Sequence, residues 1–218
     1  VELHFLDKEL APITQITPNI EIGDFRVYED VMGFAKNKTA LSIEIENVNT
    51  MALKKIEQSG KVVIIPKVDQ LSTIKDKGTQ KQLFKRLKLP TAPFQLVEGI
   101  KEIQSLLKSE KLKLPFVQKL RIGGYDGQGV QIISRPEDIN KCFDAPSVLE
   151  EKANINKELS LILTRNAQGN IAYFPISEMV FDPIANLVDY VLAPADIDKE
   201  TKSRILQLGK KLVESWDY

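Results

Sequence analysis

Gly123, Gly124, Gly127 and Gly129 fall within seven residues, in the run Lys119-Leu120-Arg121-Ile122-Gly123-Gly124-Tyr125-Asp126-Gly127-Gln128-Gly129-Val130. Strands are expected on both sides of them, at residues 116–120 and 130–134, so the glycines form a strand-to-strand loop. A Walker A loop or a dinucleotide fingerprint needs a following helix whose N-terminus meets phosphate, and neither pattern occurs here. Glycines alone suit a surface hairpin. Such a hairpin can still cover a phosphate, because glycine reaches the dihedrals that aim successive amides at one anion. Lys119 on the entering strand strengthens that reading, since an ammonium there would stand beside the anion. Further along, Glu150 and Glu158 bracket a linker between two strands, and acids so placed can accept hydrogen bonds from an adenine amino group or from ribose hydroxyls.

These residues need elements to hold them. Residues 1–66 read as strand, loop, helix, strand, helix, strand: a Rossmann-like half with strands at 1–6, 40–45 and 62–65 and helices at 28–36 and 50–59. Gly60 is placed to end the second helix. Residues 67–114 are more helical. The segment 76–89 carries Leu83, Phe84 and Leu87 at helical spacing and ends at Pro90, and 100–109 turns Ile103, Leu106 and Leu107 to one side, with a brief strand at 94–97 between them. Strands follow at 116–120, 130–134, 148–152, 158–165, 171–176 and 187–192. Turn residues 167–170 and 182–186 punctuate the last of these. A closing helix over 199–215 is expected to bury Ile205, Leu208, Leu212 and Trp216. The whole is an α/β chain of two domains, 1–66 and 67–218.

With 218 residues and 43% apolar content, the chain can build an ordinary core. Thirty Lys and Arg against 30 Asp and Glu give no reason to expect nucleic acid or an anionic membrane as partner. The single cysteine, Cys142, cannot form an internal disulfide. No apolar run approaches the roughly 18 residues of a membrane span, and no secretory signal opens the chain, so the cytoplasm is expected. His4, Trp216 and Cys142 lie in apolar-periodic stretches and are read as packing residues. The chain opens inside an apolar alternation at Val1 and stops at Trp216-Asp217-Tyr218, and reads as an excised piece.

Gly123-Gly124-Tyr125-Asp126-Gly127, with Lys119 before it and Glu150 and Glu158 after it, resembles the ATP-grasp ligases that carboxylate aminoimidazole ribonucleotide. Ser42-Ile43-Glu44-Ile45-Glu46-Asn47-Val48, Lys75-Asp76-Lys77-Gly78-Thr79-Gln80-Lys81, Leu89-Pro90-Thr91-Ala92-Pro93-Phe94 and Leu192-Ala193-Pro194-Ala195 follow that family's order, so the likeness spans nearly the whole chain. It implies a Rossmann-like preATP-grasp part followed by an α+β ATP-grasp domain with an antiparallel sheet, the central subdomain falling at about 77–152. It also implies roles: Lys77, Lys119, Gly124 and Gly127 at the ATP phosphates, Glu150 and the backbone near Ala153 at the adenine, Glu158 at the ribose, and Glu44, Tyr125 and Asp126 at the ribonucleotide. ATP, bicarbonate and aminoimidazole ribonucleotide would be its partners, with a homodimer and a functional link to the pathway's mutase subunit.

Magnesium is implied too, with its carboxylate ligands beyond Tyr218. The 218 residues alone are therefore expected to bind nucleotide weakly without turnover. Two departures stand out: Gln128 where the family commonly has a lysine, and Pro175-Ile176-Ser177-Glu178-Met179-Val180-Phe181 without the Asn and His often found after that Glu. They leave two alternatives open, a non-catalytic nucleotide-binding or assembly module and a sister ligase such as the formate-dependent purine transformylase.

Overall fold

Short parallel strands joined by helices organise the first part of the chain, and an antiparallel sheet backed by helices organises the second. The computed structural model describes residues 1–8, 11–124, 128–182 and 187–216. Tyr125, Asp126 and Gly127, three of the residues singled out above, lie outside them. Two compact units emerge, Val1–Lys75 and Asp76–Tyr218.

In the first unit, β1 (Phe5–Asp7) pairs in parallel with β2 (Ile20–Ile22), and after α1 (Tyr28–Ala35) a second parallel pair forms from β3 (Ala40–Ser42) and β4 (Val63–Ile65). Between these last two strands runs α2 (Thr50–Ser59). The Asn49 side chain caps its start by accepting from the Ala52 amide, and Gly60 ends it with a left-handed φ of 66°. Ala52 and Leu53 are fully buried, packed with Val31, Leu41 and Ile64. The sequence reading drew the domain boundary near residue 66, but α3 (Val68–Lys75) follows it with Val68 and Leu71 buried in this same core, so the compact unit runs on to Lys75. β3 stops three residues short of the expected end, which leaves Glu44 exposed in the loop beyond it.

The second unit starts with α4 (Lys77–Arg86), capped by Asp76, whose Oδ1 accepts from the amides of Gly78 and Thr79. Next come β5 (Phe94–Val97), α5 (Ile100–Lys108), β6 (Phe116–Leu120), β7 (Val130–Ile133) and β8 (Ser147–Glu151). The four strands form one antiparallel sheet in the order β5-β8-β6-β7. Side chains alternate across such a sheet. One face carries Val97, Phe116, Ile133 and Leu149, which pack with Ile103 of α5 as an apolar core. The other carries Phe94, Val117, Lys119 and Glu150: Phe94 and Val117 both stand opposite Glu150 in the register, and Lys119 is two residues from Val117.

Beyond β8 the expected strand over 158–165 divides into β9 (Glu158–Ser160) and β10 (Leu163–Arg165), because the two halves pair with different partners. β10 makes a hairpin with β11 (Ile171–Tyr173) through the Gly169 turn. β9 joins β12 (Ser177–Phe181), which sits between it and β13 (Val188–Leu192). The residues of the second expected turn that follow Asp182, 183–186, lie outside those described. The closing helix, α6 (Lys199–Glu214), differs from expectation in its packing: Ile205, Leu208, Leu212 and Trp216 line a cleft of about 530 Å³ with Phe84 and Leu159, and of the helix only Val213 is buried. Among the described residues no helix is long and apolar enough to cross a membrane.

Candidate functional site

Glu150 anchors the polar face of the four-stranded sheet. It is only 7% exposed, yet charged groups meet both of its carboxylate oxygens: Lys81 Nζ from α4 lies 2.9 Å from Oε1 and Lys119 Nζ from β6 lies 2.9 Å from Oε2. Burial pushes the Glu150 carboxyl up, but hydrogen bonds from Lys119 and Lys81, with their charges, outweigh it and hold the pKa below the ordinary value. The carboxylate therefore stays ionised at neutral pH, and the two ammonium groups converge on one point at the sheet surface.

The hairpin leaving Lys119 is built for close backbone approach. Gly123, Gly124 and Gly129 have φ values of 75°, 78° and 81°. A Cβ on Gly124 would run into the Gln128 carbonyl oxygen, and one on Gly129 would come to 2.9 Å from the Gly124 Cα. Glycine is required at both positions, for dihedral and for space. Leu120 N–H donates to Gly129 O at 2.9 Å and closes the hairpin base.

The first turn of α4 is fastened to this hairpin by three contacts. Lys77 N–H donates to Arg121 O at 2.9 Å, and the Lys77 ammonium donates to Gly123 O at 3.2 Å. The Arg121 guanidinium grips the Asp76 carboxylate through both Nε and NH2. Gly78 leaves room for that pairing, since a Cβ there would stand 2.7 Å from Arg121 Nε. Burial pushes the Asp76 carboxyl up, while Arg121 and the amides of Thr79 and Gly78 pull it further down, so it remains an anion. On the opposite face of β6, buried Gln118 bonds through its amide to Phe143 O, Phe143 N and Ser147 Oγ, fixing the turn that leads into β8 and Glu150.

Of the residues singled out in the sequence, Lys77, Lys119, Gly124 and Glu150 come together around the hairpin base. Ala153 is exposed in the loop after β8, and Glu158 is half-buried on β9, opposite Met179. Glu44 belongs to the first unit. Lys81, Thr91 and the Asp76–Arg121 pair received no role in the sequence reading. Lys81 had a local signal: it lies four residues beyond Lys77 and so shares its helix face. The Asp76–Arg121 pairing spans 45 residues and had none.

A cationic corner beneath a glycine hairpin can hold the phosphates of a nucleotide, and ionised Glu150 can accept a hydrogen bond from a base. Among the described residues, no three His, Cys, Asp or Glu side chains stand together as metal ligands.

Two family models match the chain: the ribonucleotide synthetase preATP-grasp domain over residues 1–75 and the ATP-grasp domain over residues 82–218. The phosphoribosylaminoimidazole carboxylase of Candida glabrata is 31% identical over 97% of the chain and 38% of its own length. For the N5-carboxyaminoimidazole ribonucleotide synthase of Synechocystis sp. the figures are 30%, 96% and 52%. Among solved structures, the carboxyaminoimidazole ribonucleotide synthase of Aspergillus clavatus complexed with ATP superposes with a TM-score of 0.90 at 25% identity, covering 100% of this chain and 57% of that one. The N5-carboxyaminoimidazole ribonucleotide synthetase of Thermotoga maritima gives 0.82 at 27%, covering 96% and 53%. The chain thus spans about half the length of most of these relatives.

Proposed function

Because the chain belongs to the ATP-grasp family, we propose that its second unit binds ATP beneath the hairpin at residues 123–129, in the service of ATP-dependent carboxylation of aminoimidazole ribonucleotide. The observation that carries this reading is the convergence of Lys119 on buried Glu150 at the base of a hairpin whose described glycines all have left-handed dihedrals. Lys77 and Lys119, with the backbone at Gly124 and Gly127, take the phosphates. Glu150 and the backbone at Ala153 take the adenine, Glu158 the ribose, and Glu44, Tyr125 and Asp126 the ribonucleotide.

The chemistry is phosphoryl transfer followed by carboxyl transfer. A bicarbonate oxygen attacks the γ-phosphorus, the bond to the β,γ-bridging oxygen breaks, and ADP leaves with the electron pair. The product is carboxyphosphate. The aminoimidazole amine then attacks the carboxyl carbon, phosphate departs and the nitrogen loses a proton. Phosphorylation turns bicarbonate, a poor electrophile, into an activated one, while the ammonium groups offset charge on the phosphoryl oxygens. A glycine hairpin over the phosphates limits access of water, which would hydrolyse the intermediate.

Calorimetry of ATP against the 218-residue chain and its Lys119→Ala variant tests the nucleotide site. Saturable binding that weakens at least about tenfold in the variant is expected, from the loss of one charge-assisted hydrogen bond; absence of binding in both overturns the reading. Repeating the titration with aminoimidazole ribonucleotide on the ATP complex tests the acceptor. Preference for a different amine or for formate moves the assignment to a sister ligase.

A further inference from the structure

The two cations on Glu150 are not equivalent. Lys81 is the more enclosed, with its side chain 14% exposed. Besides Glu150 it donates to Thr91 Oγ1, and its ammonium lies 5.9 Å from the centre of the Phe94 ring. Phe94 stands directly opposite Glu150 between β5 and β8, so ring, carboxylate and Lys81 ammonium share one face. Lys119 is 33% exposed, and Glu150 is the one ion-pair partner it has among the described residues.

A carboxylate as buried as Glu150 cannot remain ionised without a counter-charge. If Lys119 were its only cation, transfer of that ammonium to a phosphate would leave Glu150 uncompensated, and nucleotide binding would have to overcome the difference. A second cation that never leaves removes the conflict. We propose that Lys81 is a positioning residue that serves as the permanent counter-ion of Glu150, so that Lys119 can exchange the carboxylate for a nucleotide phosphate. Thr91 and Phe94 hold Lys81 in place for this purpose. The inference rests on the reading of Lys119 as a phosphate ligand.

The test combines nucleotide titration with unfolding of the free chain. ATP and adenosine are titrated into wild type, Lys81→Met, Glu150→Gln and the double variant, and thermal midpoints are recorded without nucleotide for wild type, Lys81→Met and Lys119→Met. Lys81→Met is expected to weaken ATP binding about tenfold or more, the cost of immobilising one charge-assisted hydrogen bond, while adenosine affinity stays within about twofold. On the Glu150→Gln background the same substitution should leave ATP affinity unchanged, because no carboxylate remains to hold Lys119. Without nucleotide, Lys81→Met should lower the midpoint more than Lys119→Met does.

Unchanged ATP affinity in Lys81→Met overturns the proposal. So does an equal loss on the Glu150→Gln background, which would mean that Lys81 touches ATP itself or acts through general structure, and so does greater destabilisation by Lys119→Met. Should Lys81→Met fail to fold, the double variant against Glu150→Gln still decides. If wild type binds no ATP, the nucleotide reading fails, and the unfolding comparison judges Lys81 on its own.

Discussion

Replacing Glu150 by Gln should destabilise the second unit by about 2–3 kcal/mol at pH 7. Severing a buried ion pair by removing one partner costs roughly 3–5 kcal/mol, because the other charge is left uncompensated. Two features reduce that figure here. Lys119 is one-third exposed and can turn to water, so its loss counts for little, and the glutamine amide oxygen still accepts one hydrogen bond. Lys81, enclosed by Thr91 and Phe94, has no such escape and carries most of the penalty. With a urea slope of about 2–3 kcal/mol/M for a unit of this size, the midpoint should fall by about 1 M. Trp216, the single tryptophan, lies in this unit and reports the transition by fluorescence. The effect also has a pH signature. The Glu150 carboxyl is held below its unfolded value, so its stabilisation is full above the unfolded pKa of about 4.3 and is lost as pH falls through the folded one. The gap between wild type and Glu150→Gln should therefore narrow steadily in acid. Equal midpoints at pH 7, or a gap that does not close on acidification, would refute the reasoning.

Substitution of Gly124 by Ala should cost about 1–3 kcal/mol and weaken ATP binding, since the new methyl meets the Gln128 carbonyl at a left-handed φ. Gly33→Ala, with open space in mid-α1, should stabilise the first unit by about 0.5–1 kcal/mol, and urea midpoints compare the two. Gln118→Leu keeps the volume but takes the Gln118 partner from both the N–H and the carbonyl of Phe143, so a loss of about 2–3 kcal/mol by chemical denaturation is expected. Asp76→Ala removes both the α4 cap and the Arg121 partner. It should cost about 1–2 kcal/mol at pH 7, and because the Asp76 carboxyl is held low, the difference from wild type should shrink as pH falls below the carboxylate range.

Local signals were legible in the sequence. Gly60 marks the end of α2, and the strands expected at 94–97 and 116–120 coincide with β5 and β6. The strand-to-strand setting of the glycine hairpin followed from the strands expected at 116–120 and 130–134. Partner choice was not legible: Leu161 and Ile162 continue an apolar run, and only the pairing of β9 with β12 and of β10 with β11 breaks the strand there. β12 itself carries Glu, Met, Val and Phe without clean alternation, because it is central in its sheet and half-buried on both faces. At the candidate site the sequence singled out Lys119 and Gly124, with Tyr125, Asp126 and Gly127 lying outside the described residues, while the groups that restrain Lys119 and Glu150 carried no sequence signal that was read. Thr91 and Phe94 reach Lys81 only because α4 lies over β5 and β8, a relationship set by tertiary packing.

β13 has every residue exposed, whereas Phe116, Ile133, Val148 and Leu149 of the four-stranded sheet are almost wholly buried. Amide deuteration should therefore separate into two tiers. β6 and β8 will exchange only when the unit opens globally, while β13 and the half-buried β12 beside it will exchange through local fluctuation, because β13 is exposed along its whole length. Glu158 lies on the far edge of that thinner sheet, next to β12. A ligand that engages Glu158 would restrain the edge, and slowed deuterium uptake along β12 would report its arrival without any catalytic assay.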